Sequence, residues 1–372
     1  MRGEGAIGRD VTEQDYARAL ELCAEFPKSE RHFAAQWGCW RAALDHHAGL
    51  ERADMLLALA REIGDPALLV QAHHCQWPTL HVLGAHEECR RHAEEGVRLY
   101  DPERHQLHAH LYGGHDPKVC ALGVGSVSCW LLGRFDESVA SARLALEWAE
   151  ALGHVGSRVR AMDYALEIRR LRRDVAEVAR RADGMWAFAT EQHLGEHAAR
   201  AAFVRGWATA LLGDVHRGLA DMHRALESEG AAGSPSDFPL YYEMLAEVYE
   251  RAGWFDRGLD AVSAGLAYAE RGQLAFWNAE LHRRRAELVL AAGGDPVAAA
   301  ECYESALSVA RDQGARFLEL RAATGLARLR LRDGLSSDPM AGLRAVYAGF
   351  PRGHDVPDLR AARALLATSP SP

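Results

Sequence analysis

Apolar residues recur every three to four positions through the stretch 239–266, PLYYEMLAEVYERAGWFDRGLDAVSAGL. This period is that of an α-helix with one buried face. Gly253 interrupts the pattern, which resumes at Phe255 with small residues at Gly258 and Gly265, where two helices can approach closely. The stretch therefore predicts a helical hairpin. The first helix of that hairpin has four apolar residues on one face: Tyr242, Leu245, Ala246 and Tyr249.

The same unit repeats along the chain with a period near 40 residues. A hairpin of this kind cannot bury its apolar face alone, so consecutive hairpins must stack. The repeat predicts an all-α protein, a right-handed α-solenoid of about eight helical hairpins. Aligning the residue between the two helices of each hairpin gives Gly49, Gly84, Gly133, Asp174, Gly213, Gly253, Gly294 and Gly334.

The pattern also predicts how the 372 residues are divided. We expect residues 1–11 to be disordered, residues 12–28 to form an N-terminal capping helix, and residues 29–350 to form the repeat domain. A second capping helix and a tail then occupy residues 351–372. No apolar run has the length of a signal peptide or a membrane span, which predicts a cytoplasmic protein.

Composition excludes several classes of function. The formal net charge of -9 disfavours a nucleic-acid-binding surface. Two runs of arginine, within residues 169–173 and 283–285, are interspersed with or flanked by acidic residues and are interpreted as solvated helix faces. The chain has no Gly-x-x-x-x-Gly-Lys-Ser/Thr loop for binding phosphates, and no Ser or Cys nucleophile is evident beside a His. We therefore expect a protein without catalysis and without a cofactor.

Two of the units, VRGWATALLGDVHRGLADMHRALE and YYEMLAEVYERAGWFDRGLDAVSAGL, resemble tetratricopeptide repeats, and the resemblance covers about residues 30–350. The strings GDPALLVQAHH, WLLGRFDES and LELRAATGLARL also resemble the helical C-terminal region of large bacterial signalling proteins. In those proteins a class III adenylate cyclase domain and a P-loop ATPase module precede that region. The resemblance implies a scaffold or sensor in bacterial signalling, with a cyclase or P-loop ATPase module as one possible partner.

In tetratricopeptide proteins the first helix of each hairpin lines a concave groove, and the resemblance carries this role to matching positions here. An aromatic wall would grade into acidic and then basic positions, which suits an extended peptide or a partner helix. Alternatively, Phe203 and Trp207 pack between units as core. The predicted groove residues are Trp130, Tyr164, Phe203, Trp207, Glu243, Glu247, Glu250, Arg284 and Arg328.

A histidine-rich insert at residues 100–118 lengthens one repeat by about nine residues. Imidazole and carboxylate groups bind zinc and similar ions, so the insert is a candidate metal site, and a metal- or small-molecule-binding protein or enzyme is the alternative function. The other interpretation is a structural elbow with hydrogen-bonded histidines. A structural oligomer is a third hypothesis, and the sequence does not define the oligomeric state. The candidate ligands are His105, His108, His110, His115 and Asp116.

Overall fold

The computed structural model describes residues 13–23, 28–43, 45–105, 107–228, 235–334, 338–351 and 355–368. Every regular element in these ranges is helical, which confirms the predicted all-α class. Residues 1–11, predicted to be disordered, and the end of the tail at 369–372 lie outside the described residues. In these same ranges no helix is long and apolar enough to cross a membrane.

The chain forms two compact units, the first made of residues 1–129 and 136–165. Helices α8 and α10 contain residues of both units. The two short helices α6 and α7 are formed by the histidine-rich insert. The helices that begin in the first unit are α1 (Glu13–Cys23), α2 (Glu30–Ala42), α3 (His46–Ile63), α4 (Pro66–Val82), α5 (His86–Leu99), α6 (Pro102–His105), α7 (His108–Leu111), α8 (Pro117–Leu131) and α10 (Val155–Leu171), together with α9 (Phe135–Leu152), whose first residue is counted in the second unit.

The second unit comprises residues 130–135 and 166–372. Successive helices pair through short turns, and α12, α14, α16, α18 and α20 also contact one another in sequence. We call α10, α12, α14, α16 and α18, each the first helix of a hairpin, the first-helix layer. The remaining helices are α11 (Val175–Glu191), α12 (Gly195–Leu211), α13 (Val215–Glu227), α14 (Phe238–Arg251), α15 (Phe255–Gly272), α16 (Asn278–Ala291), α17 (Pro296–Asp312), α18 (Arg316–Asp333), α19 (Ala341–Ala348) and α20 (Pro357–Ala367).

Three of the longer helices, α4, α8 and α17, begin at an Asp-Pro pair, as does the four-residue helix α6. The proline stands at the first helical position, where its missing N–H would have no partner anyway. The aspartate accepts a hydrogen bond from a backbone N–H of the first turn, at 2.9 Å for Asp65 and Asp295 and 3.0 Å for Asp116. These bonds satisfy N–H groups that the helix itself leaves unpaired, and so they fix where α4, α17 and α8 start.

The turns between paired helices follow a stricter register than the aligned glycines indicate. The residue with positive φ is Gly133 in one turn, then Arg173, Gly213, Gly253 and Gly293, so each follows the last by 40 residues. Glycine is favoured there because a Cβ destabilises the left-handed conformation. Two of the aligned glycines therefore do not occupy the left-handed position of a turn.

The first wrong assignment is Gly49, which lies inside helix α3. The preceding turn is instead closed by Asp45, whose side chain caps that helix by accepting from the backbone N–H of Ala48. The second is Gly294, in the turn between α16 and α17. Gly293 (φ 74°), and not Gly294, has the left-handed conformation there. At the turn without glycine, the left-handed residue is Arg173 (φ 59°), next to the aligned Asp174.

Helices α12 and α13 of the second unit approach each other closely at Gly206 and Gly218. A Cβ on Gly218 would lie 2.5 Å from the carbonyl oxygen of Gly206 and 2.6 Å from the backbone nitrogen of Ala210. Backbone atoms cannot rotate away as a side chain can. These two glycines therefore set the spacing within the α12–α13 hairpin.

We predict that Gly218→Ala lowers the free energy of unfolding by about 1–3 kcal/mol, because the added methyl group overpacks this contact. Gly184→Ala is the matched control, since a Cβ at Gly184 on α11 meets no atom within 4 Å. That change should raise stability by about 0.5–1 kcal/mol, as alanine is the better helix former. Urea denaturation of both variants measures the difference, and equal effects would contradict the close approach.

Candidate functional site

Arg284 on α16 lies at the centre of a cluster of carboxylates in the first-helix layer. Its Nη2 lies 2.8 Å from Glu243 Oε1 and 3.4 Å from Glu247 Oε1. Its Nη1 lies 2.9 Å from both Glu250 Oε2 and Glu287 Oε2. The first three partners belong to the neighbouring helix α14. The side chain of Arg284 is only 4% exposed, so one guanidinium links four carboxylates away from solvent.

A second group of ion pairs continues toward α18 and α20. Glu280 Oε1 on α16 lies 2.6 Å from Arg283 Nη2 and 2.7 Å from Arg321 Nη1. Arg321 Nε in turn lies 3.2 Å from Asp358 Oδ1 on α20. Glu280 is fully buried. Because the desolvation of a buried carboxylate is costly, Glu280 depends on these two arginines.

Helix α10 and the turn that follows it each supply one further arginine to the same cluster. Arg173 Nη1 lies 2.6 Å from Glu247 Oε1 on α14. Arg170 is paired with Glu167 at 2.7 Å, and its guanidinium lies 5.1 Å from the ring centroid of Trp277. We call the whole set the ion-pair network. It has seven carboxylates and five guanidinium groups: Glu167, Glu243, Glu247, Glu250, Glu280, Glu287, Asp358, Arg170, Arg173, Arg283, Arg284 and Arg321.

Electrostatics differ between the interior and the edge of the ion-pair network. Burial alone would raise the pKa of Glu247, but Arg173 and Arg284 hold this pKa well below its usual value. The pKa of Glu280 is also lowered, because Arg283 and Arg321 outweigh its burial. The pKa of Glu250, by contrast, is raised by burial in spite of Arg284. The neighbours of Glu250 therefore stabilise its charged form less than those of Glu247 and Glu280 do.

Replacing Arg284 by methionine should lower the free energy of unfolding by about 3–5 kcal/mol, since it leaves buried carboxylates without a counter-charge. Arg285→Met on the same helix is the control. Arg285 donates to Ser263 Oγ at 3.0 Å and is outside the network, so its loss should cost about 1 kcal/mol or less. Guanidinium denaturation distinguishes the two variants. Similar losses at both positions would show that the network does not hold the layer together.

The ion-pair network also predicts how stability depends on pH. The lowered pKa of Glu280 means that its contribution is fully present above the ordinary glutamate pKa of 4.5 and is lost as pH falls below that value. We expect the stability difference between wild type and Glu280→Gln to shrink as pH falls from 7 through this range. Thermal unfolding at a series of pH values measures it. A difference that stays constant would rule out the ionised, paired Glu280.

The aromatic residues predicted to line the groove lie inside the protein. Trp130 is 1% exposed, with its ring centroid 4.8 Å from that of Phe135, and Phe203 is equally buried beside Tyr241. Trp207 is fully buried.

The indole of Trp207 has a polar partner, because its Nε1 donates to Glu247 Oε2 at 2.9 Å. Tyr164 lies in the first unit, where its hydroxyl is 3.8 Å from Cys120 Sγ. The alternative of core packing thus describes Phe203 and Trp207. Their contact with a partner stays a prediction.

The charged residues of the predicted groove have a different placement. Glu243, Glu247, Glu250 and Arg284 come together in the ion-pair network, whereas Arg328 is exposed on α18. The interpretation of the arginine runs as solvated faces is wrong for Arg170, Arg283 and Arg284, which are buried. Arg170 and Arg283 pair with carboxylates of their own helices, and Arg284 pairs with carboxylates of α14, which offsets the cost of burying them.

Sequence reasoning missed Glu280, Arg283 and Arg321 as parts of this site. A signal for them exists, because opposite charges recur about one repeat apart. Arg284 bonds to Glu243 across a separation of 41 residues, and Trp207 bonds to Glu247 across 40. Residues separated by one repeat length lie on neighbouring first helices. A search for complementary charges at that spacing could have found the ion-pair network.

The candidate ligands of the histidine-rich insert are largely engaged with protein groups. Asp116 accepts from Tyr100 Oη at 2.6 Å with one carboxylate oxygen and from the backbone N–H of Val119 at 3.0 Å with the other. Burial raises the pKa of Asp116 and lowers the pKa of His108 to about 4. The ring centroids of His105 and His108 are 5.0 Å apart. His110 is exposed, with its ring beside His154.

Comparison with known protein families and relatives gives limited information. No family model matches the chain. A protein of Rhizobium meliloti (strain 1021), itself described as uncharacterized, is 29% identical over 329 residues. The match covers 88% of this chain and 32% of that protein, so the chain spans about a third of the length of this relative.

Solved structures similar to this one are helical-repeat proteins. A Rap protein complexed with Competence and Sporulation Factor aligns with a TM-score of 0.60 and 13% identity, covering 96% of this chain and 94% of that one. The Rap conjugation gene regulator of plasmid pLS20, in complex with the Phr* peptide, aligns with a TM-score of 0.57 and 9% identity over 91% and 96% of the two chains.

A human protein, the IFIT1 dimer with m7Gppp-AAAA, aligns with a TM-score of 0.50 and 12% identity, covering 96% of this chain and 76% of that one. Identities this low establish the fold alone. The chain therefore has the all-α helical-repeat fold of these proteins.

Proposed function

We propose that the chain is a non-catalytic scaffold or sensor that binds a peptide or a segment of a partner protein along the first-helix layer of its second unit. The observation that carries the proposal is the ion-pair network. It places a fixed arrangement of charges on consecutive helices, which is what a preformed binding surface needs for specificity. The structural similarity to two Rap proteins in complex with a peptide or a sporulation factor supports a ligand of this kind.

The charge of the network favours a basic partner. Its seven carboxylates exceed its five guanidinium groups, and the side chains of Glu250 and Glu287 are 27% and 30% exposed. Both carboxylates share the single Nη1 of Arg284. An arginine or lysine of a partner would add to the counter-charge that Glu250 now shares with Glu287 at Arg284. The same acidic excess opposes a nucleic-acid ligand, although a protein of similar fold was solved with capped RNA.

We propose the class of partner and the cellular location from the sequence resemblance. The partner would be a cyclase or P-loop ATPase module in bacterial signalling, and the location cytoplasmic. Exposed Arg328 offers a place for an acidic group of the partner at the far side of the layer. The buried aromatic residues act by holding the charged side chains in place, as Trp207 does for Glu247.

A display library of random peptides, selected on the full-length protein, tests this proposal. We expect the selected peptides to contain basic residues and to bind the double variant Glu250→Gln/Glu287→Gln at least about tenfold more weakly, a change of about 1.4 kcal/mol. Fluorescence anisotropy measures binding, and the affinity should fall with added salt.

Glu270→Gln is the matched control, because Glu270 is exposed on α15, outside the first-helix layer. It should bind the same peptides as the wild type. Selected peptides without basic residues, or peptides that bind the double variant as tightly as the wild type, would refute the assignment of the partner surface.

A further inference from the structure

Three potential metal ligands meet in the first unit, and they come from three separate segments. His74 is buried on α4, and Cys120 is buried in the first turn of α8. His115 is half-buried and lies near the end of the insert, between these two helices in sequence. Their ligand atoms all lie within 4.8 Å of one another. Only His115 of these three belongs to the ligand set expected from the sequence.

The two imidazole rings face each other through the same nitrogen. His74 Nε2 lies 3.2 Å from His115 Nε2. The other nitrogen of His115, Nδ1, lies 2.9 Å from the carbonyl oxygen of Gly113, which can only accept. The Nδ1 of His74 lies 3.2 Å from Gln71 Oε1, and the amide nitrogen of that glutamine contacts His108 Nδ1 at 2.8 Å. With the Gln71 amide in this orientation, both Nδ1 atoms carry the proton of a neutral ring.

This assignment leaves a lone pair on each Nε2, and the two lone pairs point at each other. Such an arrangement is repulsive unless a proton or a cation lies between them. A shared proton would need an imidazolium. An imidazolium is disfavoured here, because His74 is buried and His115 half-buried, away from the water that would solvate the charge. A metal ion satisfies both nitrogens, and two ligands of one tetrahedral zinc ion lie about 3.3 Å apart.

The thiol of Cys120 is placed as a third ligand. Trp77 Nε1 donates to Cys120 Sγ at 3.4 Å, and the hydroxyl of Tyr164 lies 3.8 Å from the same sulfur. Donors around a sulfur stabilise the thiolate that binds a metal. Burial raises the pKa of the Cys120 thiol, and Arg160, which is paired with Asp163 at 4.0 Å, opposes that rise but also repels a cation.

We propose that His74, His115 and Cys120 bind one transition-metal ion of the zinc type, with the fourth position open to water. Two imidazole nitrogens and a thiolate are a ligand set that zinc prefers. The hydrogen bonds from each Nδ1 to an oxygen are those that orient metal-binding histidines. The ion would fasten the insert to α4 and α8. This site is independent of the peptide surface proposed for the second unit.

The test uses full-length protein without a His tag, stripped with a chelator. Titration with zinc against a chromophoric chelator should show one equivalent bound, and zinc should raise the melting temperature. His115→Ala, at the half-buried ligand, should abolish this binding. His110→Ala is the matched control from the same insert, and it should bind as wild type does because His110 is exposed.

Two further variants separate a ligand from a packing role. Cobalt in the wild-type site should give the sulfur-to-metal charge-transfer band of a thiolate ligand, and Cys120→Ser should lose it. Gln71→Leu should weaken zinc binding about 10- to 100-fold through the orientation of His74. Folded wild-type protein that binds no stoichiometric zinc, or His115→Ala and His110→Ala variants that bind it equally, would overturn the proposal.

Discussion

The constraint on which the second unit depends is the burial of Arg284 among carboxylates. A buried charge without partners would cost several kcal/mol, so α16 can pack only where α14 presents its glutamates. Glu243, Glu247 and Glu250 are four and three residues apart, so they form one face of α14 opposite the guanidinium. A shift of either helix by one turn would separate these pairs. Apolar contacts tolerate such a shift more readily, because they have no direction. The ion-pair network therefore fixes the register of the first-helix layer, while small residues such as Gly206 and Gly218 allow the close packing behind it.

This division of roles changes which residues can meet a partner. An aromatic side chain with no exposed surface, such as Trp207, contributes no area to binding unless the helices separate. Its indole N–H instead holds Glu247 in position, which keeps the carboxylate available to Arg173 and Arg284. This hydrogen bond reduces the conformational freedom of the Glu247 side chain, which the binding of a partner would otherwise have to remove. The edge of the network, where Glu250 and Glu287 reach solvent, is the part that our proposal assigns to a partner.

The sequence predicts the fold well, because each hairpin carries its own signals. Apolar residues at helical spacing, Asp-Pro starts such as Asp295, and glycines at the turns are all local features, and they agree with one another.

The errors in the prediction arise where a tertiary contact decides the conformation or burial of a residue. Arg173 takes a left-handed conformation that favours glycine, and its guanidinium binds Glu247 74 residues away. The burial of Arg284 likewise depends on carboxylates of another helix, α14. A single helix read alone shows only a charged run, which is indistinguishable from a solvated face.

The histidine cluster of the first unit also depends on tertiary contacts that local sequence signals do not predict. Metal sites are recognised in sequences when two ligands are separated by one helical turn or a short loop. Here His74 and His115 are 41 residues apart, and Cys120 begins a different helix. Only the fold brings them together, and the insert is what makes this possible. Its extra residues place His115 against α4, with Gly113 supplying the carbonyl group that orients the ring. An insert in a repeat protein can therefore mark a candidate site, because the inserted residues can reach side chains that the regular repeat keeps apart.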